Sequence, residues 1–101
     1  NIIVKTLDSF NLSNIDFIKI DVDGYEDLLI QGSRKTIVKN RPVINIEMKR
    51  FKSRMRRQTV RIVEKVLIKL NYKPIRRTRS DEVWVHASYP IKFPRRWDYS
   101  Q

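Results

Sequence analysis

The chain contains no cysteine, and its 101 residues include only two glycines and one histidine. The lack of cysteine excludes disulfide bonds, zinc sites with thiolate ligands and thiol catalysis, and it is compatible with the reducing cytoplasm. A single histidine, His86, excludes a metal site built from several imidazoles. Because the only glycines are Gly24 and Gly32, the chain has no Gly-x-Gly pattern of the kind that cradles a nucleotide phosphate.

Long apolar runs are also missing from this chain, of which 33% is charged. Runs such as Val43-Ile44 are far too short to span a bilayer, so we expect no membrane span. The first residue is Asn1 rather than Met, an apolar run begins at Ile2, and no basic segment precedes it. We therefore expect no signal peptide, a cytoplasmic location and a chain that lacks its upstream sequence.

Charge is distributed unevenly along the chain, whose net charge is +11. Residues 1–48 hold six Lys/Arg and seven Asp/Glu, a net charge of −1, whereas residues 49–101 hold sixteen and four, a net charge of +12. A basic half attracts polyanions such as nucleic acid, acidic glycans, nucleotide-linked sugars or anionic lipid. Plain solubility explains the same charge equally well.

The hydrophobic pattern predicts an alternation of strands and helices. Residues 16–22 are almost continuously apolar, which is typical of a strand covered on both faces. Thr59 is suited to cap the second long helix, and Asn71 is suited to end it in the left-handed conformation. The predicted segments are a short strand at 1–4, a turn or short helix at 6–10, a strand at 16–22, a helix at 26–39, a strand at 43–48, a basic loop at 49–58, a helix at 59–71, hairpin strands at 73–78 and 82–87 around a loop at 79–81, and an irregular basic and aromatic tail at 89–101.

This order of elements predicts an α/β fold. Strand–helix–strand units pair their strands in parallel with right-handed crossovers, and a final hairpin adds an antiparallel strand. We therefore expect the strands at 16–22 and 43–48 to be adjacent and parallel, with the hairpin in the same mixed sheet. Pro42 supports this prediction, because proline is tolerated at a strand entry.

Four acidic residues follow or open the predicted elements at one edge of this sheet. Asp21 and Asp23 lie at the carboxyl end of the first long strand, Glu47 ends the next strand, and Glu26 opens the intervening helix. Ligands of open parallel sheets bind at this edge, and Gly24 would allow the backbone to turn closely around one. Structural explanations compete, since Asp23 is also suited to cap a helix and Glu26 to stabilise its first turn.

The segment Phe17-Ile18-Lys19-Ile20-Asp21-Val22-Asp23-Gly24-Tyr25-Glu26 resembles the motif of FkbM-type methyltransferases, a strand ending Lys-Ile-Asp-Val-Glu-Gly followed by a small residue and Glu. Lys19, Asp21, Gly24 and Glu26 match this motif, and Asp23 stands where the family usually has Glu. The resemblance extends over roughly residues 4–88 and includes Thr6-Leu7-Asp8, Gln31-Gly32, Arg41-Pro42 with Glu47, and Leu70-Asn71-Tyr72.

The resemblance implies that residues 1–88 form the C-terminal part of a Rossmann-like class I methyltransferase domain. The activity that it implies is methyl transfer from S-adenosylmethionine to an oxygen of a sugar or similar small acceptor, with most of the cofactor bound by an upstream half. The implied catalytic residues are Asp21 and Asp23, which could also hold a divalent cation such as Mg²⁺. The other implied site residues are Gly24 and Glu26 for the cofactor, and Glu47, Arg54, Arg56 and Arg57 for the acceptor.

A basic segment leaves a second interpretation open. Residues 49–57 include six Lys/Arg interleaved with Phe51 and Met55, a composition that suits a non-catalytic nucleic-acid-binding protein or an RNA ribose methyltransferase. No zinc-finger, KH or RRM signature supports that interpretation. If the upstream half is missing, we expect the strand at 16–22 to have an open edge that binds this half or promotes self-association. The chain alone should then be inactive.

Overall fold

A computed structural model describes residues 4–48 and 54–90. The elements in chain order are a short 3-10 helix (Leu7–Phe10), β1 (Phe17–Ile20), α1 (Glu26–Gln31), α2 (Arg34–Asn40), β2 (Val43–Glu47), α3 (Arg54–Lys69), β3 (Tyr72–Arg77) and β4 (Asp81–His86). The strand predicted at 1–4, the first half of the predicted basic loop and most of the predicted tail lie outside the described residues.

The four strands form one mixed sheet in the order β1-β2-β4-β3. β1 and β2 are parallel, with Phe17 opposite Val43 and Ile20 opposite Ile46. β4 pairs antiparallel with both β2 and β3, so the terminal hairpin extends the same sheet. The α/β fold class, the parallel pair and the hairpin are therefore confirmed.

The core lies between one face of the sheet and the helices. Ile44 and Ile46 alternate with half-buried neighbours on β2, and together with Trp84 of β4 they belong to one buried cluster with Val63 and Leu67 of α3. Burial of each such side chain stabilises the fold by roughly 1.5–3 kcal/mol before entropic costs. Within the described residues, no helix is both long and apolar enough to cross a membrane.

The prediction that β1 is covered on both faces is wrong. Ile20 is buried, but Phe17 is 56% exposed and Lys19 is also exposed. Side chains alternate along a strand, so Phe17 and Lys19 belong to the face opposite that of Ile20. β1 is also the edge of the described sheet, because β2 is its only partner there. What pairs with the other edge of β1 stays a prediction.

The single helix predicted at 26–39 is two helices, because the chain changes course at Gly32 and Ser33. The Asp8 carboxylate accepts the backbone N–H groups of Lys35 and Thr36 at 3.0 and 2.8 Å and the Thr36 hydroxyl at 2.8 Å. Asp8 thereby satisfies amides at the start of α2 that have no partner within the helix. Burial raises the pKa of Asp8, but these hydrogen bonds outweigh it and leave that pKa below its ordinary value.

The start predicted for the second long helix is also wrong, since α3 begins at Arg54 rather than after Thr59. The Thr59 hydroxyl donates to the carbonyl of Met55 at 3.2 Å, one turn earlier, instead of capping a helix end. The predicted C-terminal end is confirmed by Asn71, whose φ of 68° is left-handed. In the hairpin, Asp81 begins β4 instead of lying in the loop.

Candidate functional site

A tight turn at residues 21–25 follows β1 at the carboxyl end of the parallel strands. Because it contains Asp21 and Asp23, we call it the acidic turn. The backbone N–H of Tyr25 donates to the carbonyl of Val22 at 2.8 Å, which closes the turn. Gly24 has a φ of +94°, a conformation that side chains of L-residues rarely adopt. The motif glycine is therefore required by the shape of the turn.

Glu26, the first residue of α1, stabilises this turn through hydrogen bonds to its backbone. It is 3% exposed, and its two carboxylate oxygens accept the backbone N–H of Gly24 at 3.3 and 3.2 Å. A buried carboxylate is tolerated only when hydrogen bonds and a counter-charge compensate its lost hydration. Glu26 therefore contacts the turn itself, and its predicted direct contact with a cofactor stays a prediction.

Arg56 supplies the counter-charge from α3. Its Nη1 lies 3.5 Å from a Glu26 oxygen, and its Nη2 forms an ion pair with Asp23. The Arg56 side chain is 18% exposed, while that of Asp23 is 68% exposed. The predicted basic loop at 49–58 is wrong for Arg56, which lies in α3 because that helix begins at Arg54. Arg56 instead connects α3 to the acidic turn, and its predicted role in acceptor binding stays a prediction.

Asp21 and Glu47 lie at the ends of the two parallel strands. Ile20 pairs with Ile46, so the residues that follow them occupy equivalent levels on neighbouring strands. Asp21 is exposed and Glu47 is half-buried. The sequence thus correctly predicted both residues at the same edge of the sheet. Their roles in catalysis and acceptor binding stay predictions.

The described residues contain no group of three or more His, Asp or Glu side chains arranged to hold a metal ion. The predicted metal ligands were the two carboxylates of Asp21 and Asp23. Asp23 already shares its carboxylate with the Arg56 guanidinium, which a cation would have to displace. The residues present therefore fit a divalent cation poorly.

An apolar pocket of about 490 Å³ adjoins the turn. Its volume lies within the range of small-molecule sites, and its lining is mostly apolar. The lining residues are Val4, Lys5, Thr6, Leu7, Val22, Tyr25, Leu28, Leu29 and Gly32. Sequence reasoning missed this pocket; the signal available was the spacing of two large side chains, Tyr25 and Leu28, three residues apart around the start of the predicted helix.

Gly32 allows the wall of this pocket to form. A Cβ atom at Gly32 would lie 3.1 Å from the Thr6 side chain, which is closer than ordinary packing permits. The glycine that follows the first helix therefore lets the Thr6 segment pack against α1. The resemblance in Thr6-Leu7-Asp8 and Gln31-Gly32 thus corresponds to two segments in direct contact.

Arg54 and Arg57, the other predicted acceptor-binding residues, are separated from Arg56. Both are exposed, and with Gln58 and Arg61 they line a shallow depression of about 260 Å³. Successive helical residues are about 100° apart around the axis, so neighbours of a buried side chain point elsewhere. The three arginines thus divide between the acidic turn and the outer surface of α3.

Comparison with known proteins identifies the family. The Methyltransferase FkbM domain matches residues 1–74, which include β1, the acidic turn and β2. No curated protein and no solved structure gave a significant match. The matched segment covers most of the chain and contains each structural feature that forms the turn and its pocket. The chain belongs to the FkbM methyltransferase domain family.

Proposed function

We propose that this chain is the C-terminal part of an S-adenosylmethionine-dependent methyltransferase that methylates a hydroxyl of a sugar or a related small molecule. Membership of a methyltransferase family supports methyl transfer. The single observation that carries the proposal further is the acidic turn beside a pocket of about 490 Å³. This arrangement combines proton acceptors with an apolar space, which is what methylation of a bound hydroxyl requires.

The turn has features that fit part of a bound cofactor. Gly24 permits close approach to the backbone, and the side chains of Val22 and Tyr25 line the apolar pocket. When bound, S-adenosylmethionine would supply a methyl group for attack by a nucleophilic oxygen, with the carbon–sulfur bond breaking and its electron pair staying on the departing sulfur. Glu26 has its oxygens on Gly24 and Arg56, so its role in this proposal is to fix the turn.

Asp21 is the proposed general base. It is exposed at the carboxyl end of β1, where an acceptor hydroxyl can reach its carboxylate. Asp21 would take the hydroxyl proton as the oxygen forms its new bond to carbon. Asp23 is held by Arg56 and remains mostly exposed, so its carboxylate would orient the acceptor by accepting hydrogen bonds. We derive no step through a metal ion.

The remaining cofactor contacts are proposed to come from outside these 101 residues. The exposed edge of β1 supports this part of the proposal, because a further strand could pair there and bring its own loop to the turn. The exposed side chain of Phe17 would be covered at the same time. Without that strand, the open edge of the isolated chain would favour self-association.

The catalytic proposal is tested with Asp21→Asn in the full-length protein. Transfer of labelled methyl from S-adenosylmethionine to a panel of sugar acceptors should fall by roughly 100-fold or more, because the proton acceptor is lost. Asp16→Asn is a matched control, since Asp16 is an exposed acid at the other end of β1. It should leave activity unchanged. Retained activity in Asp21→Asn would remove this residue from the mechanism.

The division of the cofactor site is tested by calorimetric titration of the 101-residue chain with S-adenosylmethionine. We expect very weak binding, because the chain supplies only one side of the site. Binding by the full-length protein serves as the positive control. Micromolar affinity in the short chain would show that these residues form the main cofactor site themselves.

A further inference from the structure

The outward face of α3 carries a stripe of cations. Five basic residues on this face are exposed and are spaced three or four positions apart, which places them along one side of a helix. We call this set the basic stripe; it consists of Arg54, Arg57, Arg61, Lys65 and Lys69. The one acidic residue of α3, Glu64, forms an ion pair with Arg77 of β3.

The arginines of the stripe differ from those that serve the fold. Arg56 and Arg77 are both paired with carboxylates, and both are partly buried. In the described part of the chain, Arg54, Arg57 and Arg61 form no ion pair and instead line one depression with Gln58. Like charges three or four residues apart on a helix repel one another. An anion bound along the stripe would relieve that repulsion.

We propose that the basic stripe binds the phosphate backbone of nucleic acid. The stripe runs from Arg54 to Lys69, a length of about 22 Å at ~1.5 Å per helical residue, which suits a polymer better than a single small anion. Guanidinium groups bind phosphate oxygens with two parallel hydrogen bonds. α3 contains no aromatic side chain on which a base could stack, so binding should be independent of sequence.

A membrane surface fits the stripe less well. A helix that lies in a bilayer interface inserts an apolar face between the lipids. The apolar face of α3 is occupied by the protein itself, because Val63 and Leu67 are fully buried in the core. Three further apolar side chains of α3, Met55, Ile62 and Ile68, are exposed, but they are spread along the helix among the cations. The outward face therefore offers five cations and only isolated apolar side chains.

The stripe is independent of the proposed active site. Arg56 lies on the inward side of α3, where it contacts the acidic turn, whereas the stripe faces outward. Nucleic-acid binding should thus be unchanged by Asp21→Asn. If the proposed methyl transfer were disproved, nucleic-acid binding by the basic stripe could still be tested, and the reverse also holds.

The test measures binding of a fluorescein-labelled oligothymidylate to the 101-residue chain by fluorescence anisotropy over a range of salt concentrations. The variant Arg54→Gln/Arg57→Gln/Arg61→Gln should bind more weakly. Its slope of log affinity against log salt should be shallower by about 2, since each phosphate contact on a single strand contributes ~0.7. Circular dichroism would confirm that α3 is retained, because all three side chains are exposed.

A matched control variant, Arg34→Gln/Lys73→Gln/Arg79→Gln, removes the same charge from exposed positions on other elements. It should leave the salt slope nearly unchanged. Equal losses in the two variants would overturn the proposal, because net charge alone would then explain binding. So would no binding of the wild-type chain at low salt. Tighter binding of heparin or of phosphatidylserine vesicles than of the oligonucleotide, at equal charge concentration, would also overturn it.

Discussion

The protein buries two glutamates, and each is held by an arginine in a different setting. Glu26 is bound by Arg56 and by the amide of Gly24 in the turn after β1. Glu82, which is 1% exposed on β4, accepts a hydrogen bond from the Trp84 indole at 2.9 Å and forms an ion pair with Arg77 at 2.5 Å. The two clusters share the same chemistry and contact α3 at Arg56 and at Glu64, about two turns apart.

The difference lies in what each cluster connects. Arg77 also forms an ion pair with Glu64 on α3 at 3.0 Å, so the Glu82 cluster joins the hairpin to that helix. All residues of this cluster lie in helices or strands. The Glu26 cluster ends in Asp23, a mostly exposed carboxylate on a turn. A buried acid can therefore serve either to hold elements together or to present a neighbouring acid to solvent. The second arrangement leaves a carboxylate accessible to a bound molecule.

The largest effect is expected when the Glu82 cluster is broken. Arg77→Met removes the cation beside a buried carboxylate and should lower the free energy of unfolding by about 3 kcal/mol. Urea denaturation measures this change. Arg76→Met, at the exposed neighbouring position, is the control and should change stability by less than about 0.5 kcal/mol. Equal effects of the two variants would show that the cluster does not stabilise the hairpin.

A smaller effect is expected at the turn of the Glu26 cluster. Gly24→Ala places a side chain at a φ of +94° and should cost about 1–2 kcal/mol of stability. A Cβ at this position would lie 3.5 Å from Arg56, an ordinary contact, so the cost comes from the backbone. Gly24→Asn should cost less, because asparagine tolerates positive φ better than alanine. A neutral Gly24→Ala variant, by the same urea measurement, would contradict the strained turn.

The smallest effect is expected for the ion pair between Asp23 and Arg56, the most exposed interaction of the Glu26 cluster. A double-mutant cycle with Asp23→Asn and Arg56→Gln should give a coupling energy below about 1 kcal/mol, because Asp23 is largely exposed. The corresponding cycle with Glu26→Gln and Arg56→Gln should give a larger coupling, since Glu26 is buried. A larger coupling energy for Asp23 and Arg56 than for Glu26 and Arg56 would show that Asp23 stabilises the fold, and would contradict its proposed availability to a bound acceptor.

The sheet could be predicted from sequence because its signals are local. The apolar run before Asp21 and the strand opened by Pro42 flank a helical segment, and this order implies parallel pairing. The motif residues Asp21, Gly24 and Glu26 could likewise be assigned to a strand end. Their positions follow from a single stretch of sequence.

The features that sequence reasoning missed depend on distant contacts. The break between α1 and α2 is stabilised by Asp8, more than twenty residues earlier in the chain. The division of Arg56 from Arg54 and Arg57 depends on where α3 begins, and Thr59 resembled a start that the structure does not use. Helix boundaries are the least certain feature of any sequence pattern. The earlier start places residues 54–58 in the helix, and neighbours about 100° apart around its axis then point in different directions.

The order of the strands has a consequence for when the acidic turn becomes ordered. β3 and β4 are neighbours in sequence and can pair within microseconds, as hairpins do, whereas β1 must wait for β2 across the whole α1–α2 crossover. β1 also has hydrogen bonds to a strand on one side only in the described sheet. Its amides should therefore exchange with solvent deuterium sooner than those of β4. The acidic turn thus follows a strand that is protected on one side only, and any chain that pairs along β1 would slow the fluctuations of the turn as well as extend the sheet.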